Sequence, residues 1–133
     1  LENIETNTIH SASAITSMTG EAGLQFYKVG RMVTIMNEKK STITPYTAIF
    51  KNLTQGLHSI ILLEYNHDEN YFLDPKDAIS NLLDVEKEQK RNVLNNDTFA
   101  IIASRIGFET QKIISGKFSN LLKVDFGVPP HSI

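Results

Sequence analysis

The chain has 133 residues, of which 41% are hydrophobic and 21% charged, and it carries a formal net charge of −2. This length predicts one domain's worth of core, and the ordinary composition excludes a disordered chain. The near-neutral charge indicates no nucleic-acid or membrane partner, the lack of cysteine excludes disulfides and thiolate chemistry, and no apolar run reaches the roughly 20 residues that span a bilayer. Because no signal peptide is visible, we expect a cytoplasmic protein.

The first third of the chain predicts an extended segment over 7–9, a polar turn, and a helix that continues to Val29. Gly20 and Gly23 lie inside this helix, where each costs about 1 kcal/mol of helix propensity. We therefore expect backbone or a ligand to pack closely against them. The β-branched run 31–36 then predicts a strand. The apolar stripe of the helix consists of Ile15, Met18, Ala22 and Phe26.

The middle of the chain is organised around a strand predicted over 56–64, in which residues 60–63 are all apolar. A run without polar alternation is typical of a strand that is covered on both faces, as in a mostly parallel sheet between helices. A helical pattern over 45–55 precedes this strand. The pair Thr44 and Pro45 predicts its start, and the glycine that follows it predicts its end.

The second half of the chain begins with a helix predicted from Asp74 and Pro75, whose charged end over 86–91 should extend into solvent. Helices and strands interleave along the whole chain, with one pair of neighbouring strands. This order predicts an α/β fold with a mixed sheet flanked by helices. The other predicted elements are a loop over 66–70, strands over 98–104 and 110–115, a helix over 117–123, and a turn over 127–130 before a final extended piece.

The four histidines do not have the spacing of a metal site, and no carboxylate stands at a helical offset that would complete one. His58 heads the predicted middle strand, where a buried structural histidine is the commoner interpretation, and His67 should be exposed. His10 and His131 lie in predicted turns, where contacts with ligands are more frequent. No serine has an evident base and orienting acid, so a hydrolytic triad is not indicated. Residue chemistry alone thus predicts a soluble α/β domain.

Four sequence blocks go further when they are taken in order. They are IHSASAITSMTGEAGLQFYKVGRMVTI (9–35), TPYTAIFKNLTQGLHSIILLE (44–64), NNDTFAIIASRIG (95–107) and KVDFGVPPHSI (123–133). Together they resemble the C-terminal half of the diphthine synthase family, which is part of the tetrapyrrole-methylase-like class of S-adenosylmethionine-dependent methyltransferases. The resemblance extends over essentially the whole chain.

This resemblance implies an enzyme that uses S-adenosyl-L-methionine to methylate the modified histidine of translation elongation factor 2, a step of diphthamide biosynthesis. It also implies a cytoplasmic homodimer whose subunits have two α/β domains with the cofactor between them. On this alignment, residues 1–30 are the end of the N-terminal methyltransferase domain. Residues 31–133 are a C-terminal α/β domain that is truncated at its end, so we expect a piece of a longer protein.

The family's first cofactor-binding positions that correspond to this chain are a serine and a small apolar residue after a first-domain strand. They match Ser13 and Ala14, or Ala14 and Ile15 if the alignment is shifted by one residue. No catalytic base and no metal ligand follows from the resemblance. Methyl transfer is compatible with this absence, because the reactive sulfonium belongs to the cofactor and the protein mainly positions and desolvates it.

Three further cofactor contacts correspond to residues in the second half of the resemblance. Leu63 ends the GLH strand, Ile106 precedes the glycine of the ASRIG block, and His131 lies in the PPH turn. Ordinary core packing is an equal alternative for Leu63 and Ile106. Within the ASRIG block, Ser104 departs from the family pattern.

The glycine-rich loops of the family's first domain are not present in these 133 residues. We therefore expect this chain alone to bind the cofactor weakly or not at all and to have no methyltransferase activity. One alternative is a non-catalytic α/β domain that serves dimerisation or protein interaction on the same scaffold. Another is a methylase of the same class that acts on a small molecule, which the DFGVPPHS block disfavours.

Overall fold

The computed structural model describes residues 3–5, 7 and 12–133. Its helices and strands are α1 Ala14–Glu21, β1 Val33–Ile35, α2 Ile43–Thr54, β2 Ile61–Leu63, β3 Tyr65–Asn66, β4 Tyr71–Phe72, α3 Pro75–Gln89, β5 Phe99–Ser104, β6 Lys112–Lys117, α4 Phe118–Leu121 and β7 His131–Ser132. Short 3-10 turns lie at Phe26–Lys28 and Lys39–Thr42. His10 and most of the extended segment predicted over 7–9 lie outside the described residues.

Five strands form one sheet in the order β1-β2-β7-β5-β6, and β3 pairs with β4 in a separate hairpin. In that sheet β1 and β2 are parallel, whereas the other neighbours pair in antiparallel fashion. The predicted α/β fold with a mixed sheet flanked by helices is thus confirmed. The expectation of a mostly parallel sheet is wrong, because β7 enters the sheet between β2 and β5 and is antiparallel to both.

The sheet carries a core on each face. The larger core lies between the sheet and the helices α2, α3 and α4, and Ile61 belongs to it. The smaller core joins Met18 of α1 to Ile60. Ile60 and Ile61 are only 1% and 5% exposed, so the start of β2 is covered on both faces as predicted, whereas Leu62 and Leu63 are half-buried. Each fully buried aliphatic side chain of this kind contributes about 1.5–3 kcal/mol.

Helix α1 is much shorter than the predicted helix, because Gly23 ends it. This residue has a φ of +68°, a conformation that glycine adopts without a steric penalty. Its N–H donates to the Gly20 carbonyl at 3.1 Å, and the N–H of Leu24 donates to the Thr19 carbonyl at 2.9 Å, the two bonds of a Schellman motif. A Cβ at Gly20 or Gly23 would meet no atom within 4 Å, so the expected close packing is absent in the described part of the chain. Phe26 is 69% exposed and does not extend the stripe.

Helix α2 ends as predicted and begins earlier than predicted. Its end is again a Schellman motif, in which Gly56 has a φ of +68° and the N–H of Leu57 donates to the Asn52 carbonyl at 2.9 Å. Its start at Ile43 follows a 3-10 turn, so Thr44 is not the capping residue. The predicted loop over 66–70 is in part the turn of the β3–β4 hairpin. The sequence does not predict this hairpin, because strands of two residues are too short to show a periodic pattern.

The remaining boundaries follow the predictions closely. Asp74 caps α3 by accepting a hydrogen bond from the N–H of Lys76 at 2.8 Å, and Pro75 is the first residue of the helix. Strand β5 spans nearly the predicted residues, β6 begins at Lys112 instead of 110, and α4 is a single turn. No helix in the described ranges is both long and apolar enough to cross a membrane.

The predicted solvent-exposed end of α3 is wrong at Glu86. This carboxylate accepts hydrogen bonds from the N–H groups of Val93, at 2.6 Å, and Leu94, at 3.0 Å, and from the hydroxyl of Tyr46. Burial raises the pKa of Glu86, but the hydrogen bonds from Tyr46, Leu94 and Val93 lower it by more, so that it lies below the ordinary value. Burial, with the hydrogen bond to Glu86, raises the pKa of Tyr46 to about 12. Glu86 therefore fastens the segment after α3 to α2.

We expect Glu86→Gln to lower the free energy of unfolding by about 1–3 kcal/mol at pH 7, because an amide cannot accept from all three donors in the same geometry. A carboxylate with a lowered folded-state pKa stabilises the protein above its unfolded pKa, near 4.3, and loses that contribution as the pH falls through the folded value. The difference between the two proteins should thus shrink at acid pH. Urea unfolding at pH 7 and at about pH 3 measures it, and Glu88→Gln, an exposed change on the same helix, is the control. An equal difference at both pH values would contradict the prediction.

Candidate functional site

The carboxyl ends of β1, β2 and β5 meet at one edge of the sheet, where β7 begins. Ser132 of β7 pairs with Leu62 of β2, and His131 pairs with Ser104 of β5. Because paired residues of antiparallel strands lie directly opposite each other, His131 stands between Leu63 and Ser104 in one row across the sheet. The carboxyl edge of the strands is also where open α/β sheets bind ligands.

The side chain of His131 is held by a buried serine. The hydroxyl oxygen of Ser104, which is 1% exposed, lies 2.8 Å from Nδ1 of His131. The ring of Phe126 approaches the imidazole edge-on, with 6.3 Å between ring centroids. Burial lowers the pKa of His131 and the charge of Arg105 adds to this, while Asp74 and the Gly127 backbone oppose it. At neutral pH the imidazole is therefore mostly neutral.

Arg105 ties the end of β5 to the turn that precedes β7. Its backbone N–H donates to the carbonyl of Pro130 at 2.8 Å, and its guanidinium donates to the carbonyls of Phe126, at 3.1 Å, and Val128. Its Nε donates to the carbonyl and hydroxyl oxygens of Thr110 at 3.0 and 3.1 Å. Arg105 also has a φ of +52°, which is strained for a residue with a side chain. The ASRIG and DFGVPPHS blocks thus form one structural unit.

Asn52 organises the other end of β2. Its side chain accepts from the N–H of Arg31 at 3.1 Å and donates to the Arg31 carbonyl and to the hydroxyl of Ser59, both at 2.9 Å. Gly30, whose N–H donates to the His58 carbonyl at 2.9 Å, leaves room for this amide, since a Cβ there would lie 2.6 Å from Cγ of Asn52. The asparagine of the NLTQGLH block therefore joins the segment before β1 to the segment before β2.

The structure brings Leu63 and His131 together and gives Ile106 a position just beyond the same edge. Leu63 is half-buried and packs against the larger core, and Ile106 is half-buried and packs against the smaller one with Ile15. Partial exposure leaves both side chains apolar surface for a ligand. Their core contacts also agree with the structural alternative, so packing does not separate the two interpretations.

Ser13 and Ala14 belong to the opposite face of the sheet from Leu63. Ser13 caps α1 in a capping box, with its hydroxyl accepting from the N–H of Thr16 at 3.2 Å, and Ala14 is the first residue of the helix; both are exposed. In the shifted alignment the predicted pair is Ala14 and Ile15, and the side chain of Ile15 packs against the smaller core, as that of Leu62 does. The predicted cofactor contacts thus lie on both faces of the sheet, with α1 on the face that carries the smaller core.

The other candidate residues have simpler outcomes. His58 is exposed, so its prediction as a buried structural histidine is wrong, and His67 is exposed as predicted. His131 is the first residue of β7 instead of a turn residue. The described ranges contain no group of three or more histidine, cysteine or acidic residues that could hold a metal ion. Sequence patterns did not single out Arg105 or Asn52 individually, although both lie in blocks that carry the family resemblance.

Comparisons with known proteins show what the whole chain is similar to. No protein-family profile matches the chain. Diphthine synthase of Methanocaldococcus jannaschii is 36% identical over 129 residues, which are 94% of this chain and 50% of that protein. Diphthine synthase of Methanothermobacter thermautotrophicus is 34% identical over 132 residues, 98% of this chain and 50% of that protein. A crystal structure assigned to a diphthine synthase of Entamoeba histolytica has a TM-score of 0.86 and 32% identity, covering 97% of this chain and 52% of that one.

These matches define the fold class of the chain, which has the mixed α/β architecture of a tetrapyrrole-methylase-like fold. The particular protein that it resembles is diphthine synthase, since relatives of that name at 31–36% identity match 94–99% of this chain. The predicted resemblance is therefore confirmed. The chain spans about half the length of the curated relatives it matches, which is consistent with the predicted C-terminal half.

Proposed function

We propose that the chain is part of an S-adenosyl-L-methionine-dependent methyltransferase of diphthamide biosynthesis, which methylates the modified histidine of translation elongation factor 2. Similarity to diphthine synthases over nearly the whole chain carries this proposal. The unit that the ASRIG and DFGVPPHS segments form at the carboxyl edge of the sheet supports it, because blocks of the resemblance converge there. Residues 1–30 would complete the N-terminal domain, and residues 31–133 would form most of the C-terminal one.

In this proposal the contacts of this chain with the cofactor are Ser13, Ala14, Leu63, Ile106 and His131, which come from both faces of the sheet. The fit is chemically reasonable, because two half-buried aliphatic side chains suit an adenine or thioether and a neutral imidazole suits a polar group of the cofactor. The cofactor supplies the activated methyl group when it is bound. These residues would bind and orient it and exclude water from it.

The full-length protein would act as a cytoplasmic homodimer on elongation factor 2. Mass analysis of elongation factor 2 from cells that lack the full-length protein tests the proposal. The modified histidine should be without the added methyl groups, and expression of the full-length protein should restore them. Normal methylation in the deficient cells would contradict the function. It would favour an interaction domain or a methylase with another substrate.

We also expect the 133-residue chain alone to bind S-adenosylmethionine weakly or not at all, because only one side of the cleft is built from its residues. Calorimetric titration of the purified chain measures this, with the full-length protein as the positive control. A dissociation constant in the micromolar range for the isolated chain would contradict the expectation. That result would mean that the residues at the carboxyl edge suffice for binding.

A further inference from the structure

We propose that Ser104 is a positioning residue for His131 and holds the imidazole in the tautomer that carries its proton on Nε2. The inference rests on the proposed function, in which His131 contacts the cofactor, and it states which nitrogen the ring offers there. It concerns a residue outside the predicted set of cofactor contacts. Its physical basis is the hydrogen bonding of one buried hydroxyl.

Ser104 has little freedom in how it satisfies its hydroxyl group. The side chain is 1% exposed, and in the described part of the chain its oxygen has a single hydrogen-bond partner, Nδ1 of His131 at 2.8 Å. If Nδ1 carried a proton, the hydroxyl oxygen of Ser104 would accept a hydrogen bond from it. The hydroxyl proton of Ser104 would then be buried without an acceptor, which is destabilising. If Nδ1 is unprotonated, the hydroxyl donates to it and both groups are satisfied. The geometry therefore selects the Nε2–H tautomer.

The surroundings of the ring agree with a neutral imidazole that is protonated on Nε2. Burial keeps the pKa of His131 below the ordinary value, and of the charged groups that face it, Asp74 favours and Arg105 disfavours the imidazolium. With Nδ1 engaged by Ser104, the ring nitrogen that is left to carry the proton is Nε2. His131 would then present an N–H donor to a ligand instead of a base.

The family resemblance implies that Ser104 is a departure from the usual pattern. An alanine at this position would leave Nδ1 without the hydroxyl donor, so the ring would be freer to exchange tautomers. The Ser104 hydroxyl thus constrains the tautomer of the His131 ring by a direct hydrogen bond to that side chain. Arg105 contributes a separate constraint through the backbone of the preceding turn.

Long-range ¹H–¹⁵N correlation NMR of the ¹⁵N-labelled chain at neutral pH reads the tautomer of each histidine directly. We expect an unprotonated Nδ1 and a protonated Nε2 for His131 in the unaltered chain. Ser104→Ala should give a mixture that includes the Nδ1–H form. It should also raise the pKa of His131, because a hydrogen bond donated to the neutral ring is lost. Ser104→Thr keeps the hydroxyl and should restore the original pattern.

Ser132→Ala is the matched control, since Ser132 is the neighbour of His131 on β7 and its side chain lies on the other face of the sheet. It should leave the tautomer unchanged, and the exposed His67 gives an internal reference. An Nδ1–H tautomer in the unaltered chain would overturn the proposal, even if the alanine variant does not fold. An unchanged tautomer in a folded Ser104→Ala chain would overturn it too. Neither outcome depends on methylation of elongation factor 2, so the two proposals fail separately.

Discussion

Asn52→Ala is expected to lower the free energy of unfolding by about 3 kcal/mol, because it removes three hydrogen bonds from a residue that is 4% exposed. The N–H and carbonyl of Arg31 and the hydroxyl of Ser59 lose their partner together. These hydrogen bonds are partly buried, and polar groups that lose their partner away from bulk water are destabilising. Urea unfolding followed by circular dichroism measures the loss. Lys51→Ala, an exposed change on the neighbouring position of α2, should cost less than about 0.5 kcal/mol.

Gly30→Ala tests the same contact from the other side. The new methyl group would lie 2.6 Å from Cγ of Asn52, so the amide must move and its hydrogen bonds must weaken. We expect the two substitutions to be strongly non-additive, because the alanine at residue 30 has space once the amide is gone. A double variant should be about as stable as Asn52→Ala alone. Additive losses would show that Gly30 and Asn52 act independently and would contradict the proposed arrangement.

Several element boundaries could be predicted because they depend on local chemistry. Gly56 ends α2 through its positive φ, and Asp74 with Pro75 begins α3 through a cap and a fixed φ. The same kind of signal is present at Gly23, where α1 ends although the sequence pattern predicts that the helix continues. Its effect depends on whether the backbone there adopts a positive φ, and an apolar stripe that continues beyond it as far as Phe26 hid the helix end.

Strand order could not be predicted from the sequence, because it depends on pairings between distant segments. β7 comes last in the chain and enters the sheet between β2 and β5, which makes most neighbours antiparallel. The run over 60–63 correctly predicted coverage of both faces at the start of β2. It did not predict how strands are oriented, because α1 on one face and three helices on the other bury β2 whatever its neighbours are.

In the candidate site, too, single residues can be predicted from the sequence, whereas contacts between residues far apart in the chain cannot. The resemblance predicted Leu63, Ile106 and His131 individually, and register places the first and last in one row. The contact between Ser104 and His131 joins residues that are 27 positions apart, so no local pattern contains it. Sequence could therefore predict residues of the candidate site but not the hydrogen bonds that orient them.

Arg105→Ala should lower the free energy of unfolding by about 2–4 kcal/mol, because hydrogen bonds from a charged donor are worth about twice those from a neutral one. The carbonyls of Phe126 and Val128 and the oxygens of Thr110 lose a shared donor. The turn before β7 should open more often. Urea unfolding measures the global effect. Amide hydrogen exchange of Ile133, whose N–H donates to the Ile61 carbonyl, measures the local effect.

Three comparison variants separate the guanidinium contacts of Arg105 from its backbone strain. Arg105→Gly should be less destabilised than Arg105→Ala by up to about 1 kcal/mol, because glycine tolerates a φ of +52° and alanine does not. Arg105→Lys keeps the charge, but a single ammonium group cannot bond Thr110 and the turn before β7 at the same time as a guanidinium does. We therefore expect its stability to be closer to that of the alanine variant than to that of the unaltered chain. Lys123→Ala, an exposed change near the same turn, should have little effect. If the alanine and lysine variants were as stable as the unaltered chain, the guanidinium would not hold the turn, and His131 would have to be positioned by β-sheet pairing and Ser104 alone.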